Sequence, residues 1–280
     1  MKSGQINIYQ TSLEIRTQIW YAPKSSLRVG VIKLSGDINA INNKEKELRK
    51  LECIVNRVDQ LTYSNFYIID TRRTTNGSQF FIELFERVYH DGYKPIFLVN
   101  ESKQTELTQT ILFEKNLIDA INYISQKEKK KRNDGGKKLS IYRDDEIRLS
   151  EVYTEKRRHR TEVFEINEAN FNAMLIELEG ELLPGSKDDP DVEYMVQIIS
   201  DTISIEFPKP LIIDASKLTY TWGDKLSLVP FEAQRDKNYP FRLILKPEQL
   251  EPFAYVIDAE KRICSSVEQA IEELKAETVK

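Results

Sequence analysis

The chain is poor in the residues that build reactive sites. Of its 280 residues only 2 are cysteine and 2 are histidine. The cysteines, Cys53 and Cys264, lie far apart, which excludes a disulfide framework and suits a reducing cytosol. His90 and His159 have no Cys, His or carboxylate at metal-ligand spacing, so no zinc site is expected. No Walker loop, Gly-x-Ser-x-Gly elbow or Rossmann glycine pattern occurs, and neither an enzyme nor a cofactor is expected. No apolar run approaches a membrane span, and Met1–Gln5 lacks the apolar core of a signal peptide, so a cytoplasmic protein is expected. Strong charge of one sign is also missing. A net charge of −4 argues against a protein whose whole surface binds nucleic acid.

What the chain has is an internal echo. Val31-Ile32-Lys33-Leu34-Ser35-Gly36-Asp37-Ile38 and Leu175-Ile176-Glu177-Leu178-Glu179-Gly180-Glu181-Leu182 share one pattern of apolar, polar, glycine and acidic positions. Tyr67-Ile68-Ile69-Asp70 returns as Leu211-Ile212-Ile213-Asp214, at the same offset of 144 residues. Two signals at one offset imply a duplicated domain, each copy about 100–150 residues with its linker.

Around the echo, helical and strand periodicities alternate. In copy one, strands are expected near Ile6–Tyr9, Leu13–Tyr21, Leu27–Leu34, Phe66–Ile69 and Pro95–Val99, with helices over Lys44–Leu61, Gln79–His90 and Glu106–Glu114. In copy two, strands are expected at Val163–Ile166, Met174–Leu178, Pro210–Ile213 and Phe241–Leu245. The helices are Val192–Ile205, with Val196, Ile199 and Ile203 inward, a shorter Lys225–Arg235, and a last one to Ala276 capped by Ser265 or Ser266. The reading is α/β, with two domains of four or five mixed strands each: residues 1–125, a charged linker at 126–162, and residues 163–280.

The order of these elements, with Leu178-Glu179-Gly180-Glu181-Leu182, Leu211-Ile212-Ile213-Asp214-Ala215-Ser216-Lys217-Leu218-Thr219-Tyr220 and Cys264-Ser265-Ser266-Val267-Glu268-Gln269-Ala270, resembles the STAS domain. Copy one resembles it through Leu34-Ser35-Gly36-Asp37, Ile68-Ile69-Asp70 and Asp91-Gly92-Tyr93-Lys94-Pro95-Ile96-Phe97-Leu98-Val99-Asn100. The resemblance implies a non-enzymatic regulatory or scaffold protein like the bacterial anti-sigma factor antagonists, acting by protein–protein interaction. Its partner would be an anti-sigma factor kinase or another STAS protein, and self-association is a further option.

Such regulators carry a phosphorylated serine at a helix N-terminus, where free amides and the helix dipole suit a phosphate. Copy two has Thr221-Trp222-Gly223-Asp224-Lys225 there, with glycine in the place of serine. Copy one has Thr74-Thr75-Asn76-Gly77-Ser78-Gln79. Ser78 or Thr75 would be the regulatory residue; equally, Ser78 or Asn76 only caps the helix. Asn76, Gly77, Gln79, Trp222, Gly223, Asp224 and Lys225 would then line the partner surface. Asp70 and Asp214 end buried strands, where capping of the next turn is the simpler role.

From Lys127 to Arg160 the chain holds 13 Lys and Arg against 7 Asp and Glu, a local charge of +6. Lys129, Lys130, Lys131, Arg132, Arg157, Arg158 and Arg160 are the candidate polyanion contacts. A solvated linker is the favoured reading, and nucleic acid an unfavoured partner. The other reading of the whole chain is a structural subunit of a larger assembly, its basic linker on nucleic acid or an anionic membrane.

Overall fold

The computed structural model describes residues 2–21, 28–62, 66–76, 78–88, 94–98, 112–114, 119–120, 123–124, 142–147, 159–168, 170–182, 189–220, 239–250 and 262–278. The chain is α/β, with two mixed six-stranded sheets and four helices among these residues. It divides into two compact units, one of residues 9–152 and one of residues 1–8 with 153–280.

In the first of these units, β2 (Glu14–Tyr21) runs antiparallel to β3 (Arg28–Asp37). Then β3, β4 (Phe66–Thr75), β5 (Lys94–Leu98) and β6 (Leu112–Glu114) run parallel to one another. Helices α1 (Lys44–Thr62) and α2 (Ser78–Val88) cover one face. Leu48, Leu51, Val55 and Val58 of α1 and Phe81, Leu84, Phe85 and Val88 of α2 pack there against Ile32, Leu34, Tyr67 and Ile69. The 3-4 spacing of apolar residues in both helices is what puts them on that one stripe. Glu47 of α1, itself buried, accepts the backbone N–H groups of Ser12 (2.6 Å) and Leu13 (3.2 Å) and so fixes where β2 begins.

The other unit repeats the plan. Strand β8 (His159–Glu168) is antiparallel to β9 (Phe171–Leu182), and β9, β10 (Leu211–Tyr220), β11 (Phe241–Ile244) and β12 (Ile263–Cys264) are parallel. Met174, Leu175 and Ile176 are buried in succession, the mark of a strand covered on both faces. Helix α3 (Asp189–Glu206) packs on β9, and α4 (Val267–Thr278) on β10, β11 and β12. Ser266 caps α4 by accepting the amide of Gln269 (3.2 Å), while the Gln269 side chain accepts the amide of Ser265 (2.9 Å), one residue before the cap.

The duplication is visible in the backbone. Gly36 and Gly180 have φ of 130° and 131°, a region closed to ordinary side chains. At Gly36 a Cβ would also meet the Leu13 side chain at 3.1 Å. Asp70 and Asp214, expected to end their strands, lie within β4 and β10, which run on past them, and each strand carries a bulge just after its aspartate. Between Lys33↔Asp70 and Ser35↔Arg73, and again between Glu177↔Asp214 and Glu179↔Lys217, the later strand holds one extra residue.

The bulge carbonyls are satisfied differently. Thr74 donates its hydroxyl to the carbonyl of Thr71 (2.7 Å). In the other copy, Gln249 donates to the carbonyls of Ala215 (3.1 Å) and Leu218 (2.7 Å) and accepts the amide of Lys246 (2.7 Å).

The remaining strand of each sheet departs from a plain tandem. β1 (Lys2–Gln5), which opens copy one, lies antiparallel on β8, with Lys2 opposite Ile166. β7 (Tyr142–Ile147), which opens copy two, lies antiparallel on β2, with Thr17 opposite Ile147. The leading strands of the two copies are thus exchanged. Four expectations are corrected. Each sheet has six strands rather than four or five, because a strand arrives from the other copy. The first eight residues belong with the second half rather than with residues 9–125. The expected linker at 126–162 contains β7 and the start of β8, because edge pairing to β2 and β9 overrides its polar composition. The strand expected at Ile6–Tyr9 is placed at Lys2–Gln5.

In α3 the buried stripe is Val192, Met195, Ile199 and Thr202, rotated from the expected Val196, Ile199 and Ile203. Thr202 can sit inside because its hydroxyl donates to the carbonyl of Ile198 (2.7 Å).

Two tests follow from this wiring. Residues 153–280 expressed alone expose the edge of β8, and should self-associate in sedimentation; a synthetic peptide of residues 1–8 should suppress that, and a monomeric fragment would contradict the pairing. Gln249→Leu strands two carbonyls and one amide, and should lower stability by about 2–4 kcal/mol in urea unfolding.

Candidate functional site

The features singled out in copy one converge at the far end of β3 and β4. Gly36 sits opposite Thr74 and Asp37 opposite Thr75, so the Gly-Asp turn and the Thr-Thr-Asn segment lie side by side. Asn76 follows with φ of 59°, a left-handed conformation that asparagine tolerates. It turns the chain out of β4, and α2 begins at Ser78.

Asp37 organises this corner. Its Oδ1 accepts the amide of Asn39 (3.0 Å), which caps a short 3-10 turn at Ile38–Ala40, and the Nδ2 of Asn76 (3.1 Å). Those two bonds, joined by one from the Thr75 side chain, hold the Asp37 carboxyl below the usual aspartate range. Thr75, Asn76 and Gln79 are all exposed. Gln79 turns along the helix and donates to Glu83 (3.2 Å). The corner is therefore an open polar surface that already contains one carboxylate. No acidic residue occupies the first turn of α2.

Asp70 and Asp214 lie further back on the strands, and both are buried. Each accepts the amide two residues ahead, Arg72 at 3.2 Å and Ser216 at 2.9 Å, which shapes the bulge as a local turn. Asp70 also takes a bidentate pair from Arg72, 2.9 Å to Nε and 2.8 Å to Nη2, and this keeps the guanidinium pKa above its ordinary value. Asp214 has serine at the Arg72 position.

Trp222, Gly223, Asp224 and Lys225, with Gly77, lie outside the described residues, as do Lys129, Lys130, Lys131, Arg132, Arg157 and Arg158. Arg160 is an exposed residue of β8 paired with Glu162 at 2.5 Å. His159, beside it, is buried with its ring 5.9 Å from that of Tyr194.

Among the described residues no cluster of three or more His, Cys, Asp or Glu could hold a metal, and no helix is long and apolar enough to cross a membrane. The sequence reading passed over the role of Asp37. Its position after a left-handed glycine was the available signal.

No protein-family model matches the chain, and no curated protein matches it in sequence.

The corner has a pH signature. Because the folded Asp37 pKa is below 3.8, its bonds persist above that value and are lost as the pH falls through the lower folded pKa. The Asn76 side-chain amide resonances should move with a midpoint below 3.8, and Asp37→Asn should abolish the titration.

Proposed function

We propose that the chain is a non-enzymatic regulatory or scaffold protein built from two STAS-like domains, resembling the anti-sigma factor antagonists. Its docking surface is the corner where β3, β4 and α2 meet. The observation that carries this reading is the Asp37–Asn76 bond beside the start of α2, which presents a fixed, exposed set of polar groups at a helix N-terminus. The partner would be an anti-sigma factor kinase or a second STAS protein in a bacterial cytoplasm.

The same carboxylate bears on regulation. A phosphate added at Thr75 would sit beside Asp37, which already bonds that side chain. Like charge at that distance opposes the modified state. Docking independent of phosphorylation is the simpler mode, and it agrees with glycine standing where copy two would need its serine.

The test is to tag the protein in its own organism and identify what co-purifies, with phosphosites mapped in the same sample. A kinase or STAS partner captured by the native chain should be lost from an Asn76→Arg, Gln79→Glu double variant that still folds. Capture unchanged by those substitutions would place the docking surface elsewhere.

A further inference from the structure

The leading strand of copy one is lightly held where it lies. β1 has four residues, and its partner is β8. Gly4, Gln5 and Asn7 are exposed, Ile6 is half-buried and Ile8 is buried. A Cβ at Gly4 would meet nothing within 4 Å. Beyond Ile6 and Ile8, backbone pairing is what holds the strand, extended by the Ile6 amide on the carbonyl of Val163 (2.9 Å). Such a short, wet terminal strand opens at a small fraction of the global unfolding cost.

The two sheets receive their leading strands in one and the same way. Gln18 opposite Val31 matches Phe164 opposite Leu175, and Trp20 opposite Val29 matches Ile166 opposite Ala173. Gln5 and Lys2 lie on Phe164 and Ile166, and Glu146 and Arg143 lie on Gln18 and Trp20. In both sheets the leading strand takes three steps, Lys2 to Gln5 or Arg143 to Glu146, against two of its partner. Register and irregularity are therefore repeated, although Lys2-Ser3-Gly4-Gln5 and Arg143-Asp144-Asp145-Glu146 share little. Backbone geometry specifies these edges, and side-chain identity contributes little. An edge that takes its strand from the other copy in this way can take the same strand from a second chain, with the same contacts.

The connection behind β1 is short. Arg57, buried on α1, donates to the Tyr9 hydroxyl (2.6 Å), and its guanidinium lies 5.5 Å from the centre of that ring. Lys50 donates to the carbonyl of Gln10, and Glu47 accepts the amides of Ser12 and Leu13. The chain is thus fixed on α1 from Tyr9 onward and on β8 as far as Ile6. Asn7 and Ile8 are left as the hinge, at the boundary between the two units. Short hinges are the setting in which exchange of an element between identical chains becomes competitive.

We propose that the edge of β8 docks β1 from a second copy of this chain, giving a closed dimer in which two chains trade their leading strands. Within one chain the tether gives β1 an effective concentration of about millimolar. The exchanged dimer is therefore a minor species at micromolar concentration and rivals the monomer as the protein approaches that value. This self-association uses no residue of the corner and does not depend on partner docking there.

Cysteine pairing in the full chain tests it. Cys53 and Cys264 are both buried, which keeps them out of the reaction. Gln5→Cys and Phe164→Cys in one chain put two thiols on directly opposed residues of an antiparallel pair, within disulfide reach, and should lock the monomer on oxidation. A mixture of chains carrying Gln5→Cys alone with chains carrying Phe164→Cys alone should yield a disulfide-linked mixed dimer. While that dimer is minor, its ratio to monomer should rise about tenfold for each tenfold rise in concentration. Excess peptide of residues 1–8 should suppress it. Deleting Asn7 leaves one hinge residue, hinders closure within a chain, and should raise the dimer fraction seen by sedimentation without any added cysteine. A double variant that locks while the mixture gives no dimer near millimolar concentration would overturn the second copy as partner. Mixed dimer no more abundant than the dimer of either single variant oxidised alone would do the same. A double variant that folds but does not lock would overturn the pairing of β1 on β8, and the proposal with it.

Discussion

The pairing of each copy's leading strand with the other copy's sheet is the constraint on which this architecture rests. Without β1, the antiparallel edge of β8 would present unmatched backbone donors and acceptors, and without β7 the edge of β2 would do the same. Hydrogen bonds along an edge are individually modest, but an uncovered edge invites association with other chains. The exchange covers the edges of β8 and β2 and leaves as the new edges strands of only four and six residues. It also means that neither repeat contains all of the sheet it helps to build.

The parts of the fold legible in the sequence were those whose signal is local. The stripes of α1 and α2 could be read from apolar spacing because each helix has one buried face and one wet one. The positive-φ positions Gly36 and Gly180, within β3 and β9, were marked by the only residue that takes their φ easily. The exchanged strands carried no such mark. Lys2-Ser3-Gly4-Gln5 and Tyr142-Arg143-Asp144-Asp145-Glu146-Ile147 are edge strands made largely of polar residues, so hydrophobic alternation was not there to be seen. Backbone pairing holds them, and backbone pairing is nearly blind to side-chain identity. The corner was legible in outline, since a helix N-terminus shortly after a buried strand is a motif. Asp37 as its organiser was not, because its partner Asn76 lies 39 residues away.

The two copies show what duplication preserves. The positive-φ glycine, the strand aspartate and the bulge after it recur at one offset, because each is fixed by backbone geometry that few residues satisfy. The side chains around them have diverged freely. One bulge is stitched by a threonine within its own strand, the other by a glutamine reaching from a later turn. Where Lys33 faces Arg16 in one sheet, Glu177 faces Glu162 in the other. The second unit also recruits Arg242, buried on β11, to pair with Glu273 and Glu277 of α4 at 2.7 and 2.6 Å, anchoring the helix to the sheet.

The exchange also bears on how the protein is made. Lys2 leaves the ribosome 164 positions ahead of its strand partner Ile166. Throughout that interval β1 has no place to fold, while β2 through β6 can assemble behind it. At a translation rate of about 5–20 residues per second, the wait is on the order of ten to thirty seconds. The nascent chain thus carries a loose leading strand through the synthesis of an entire domain, and completing the second sheet is necessarily a late, long-range closure.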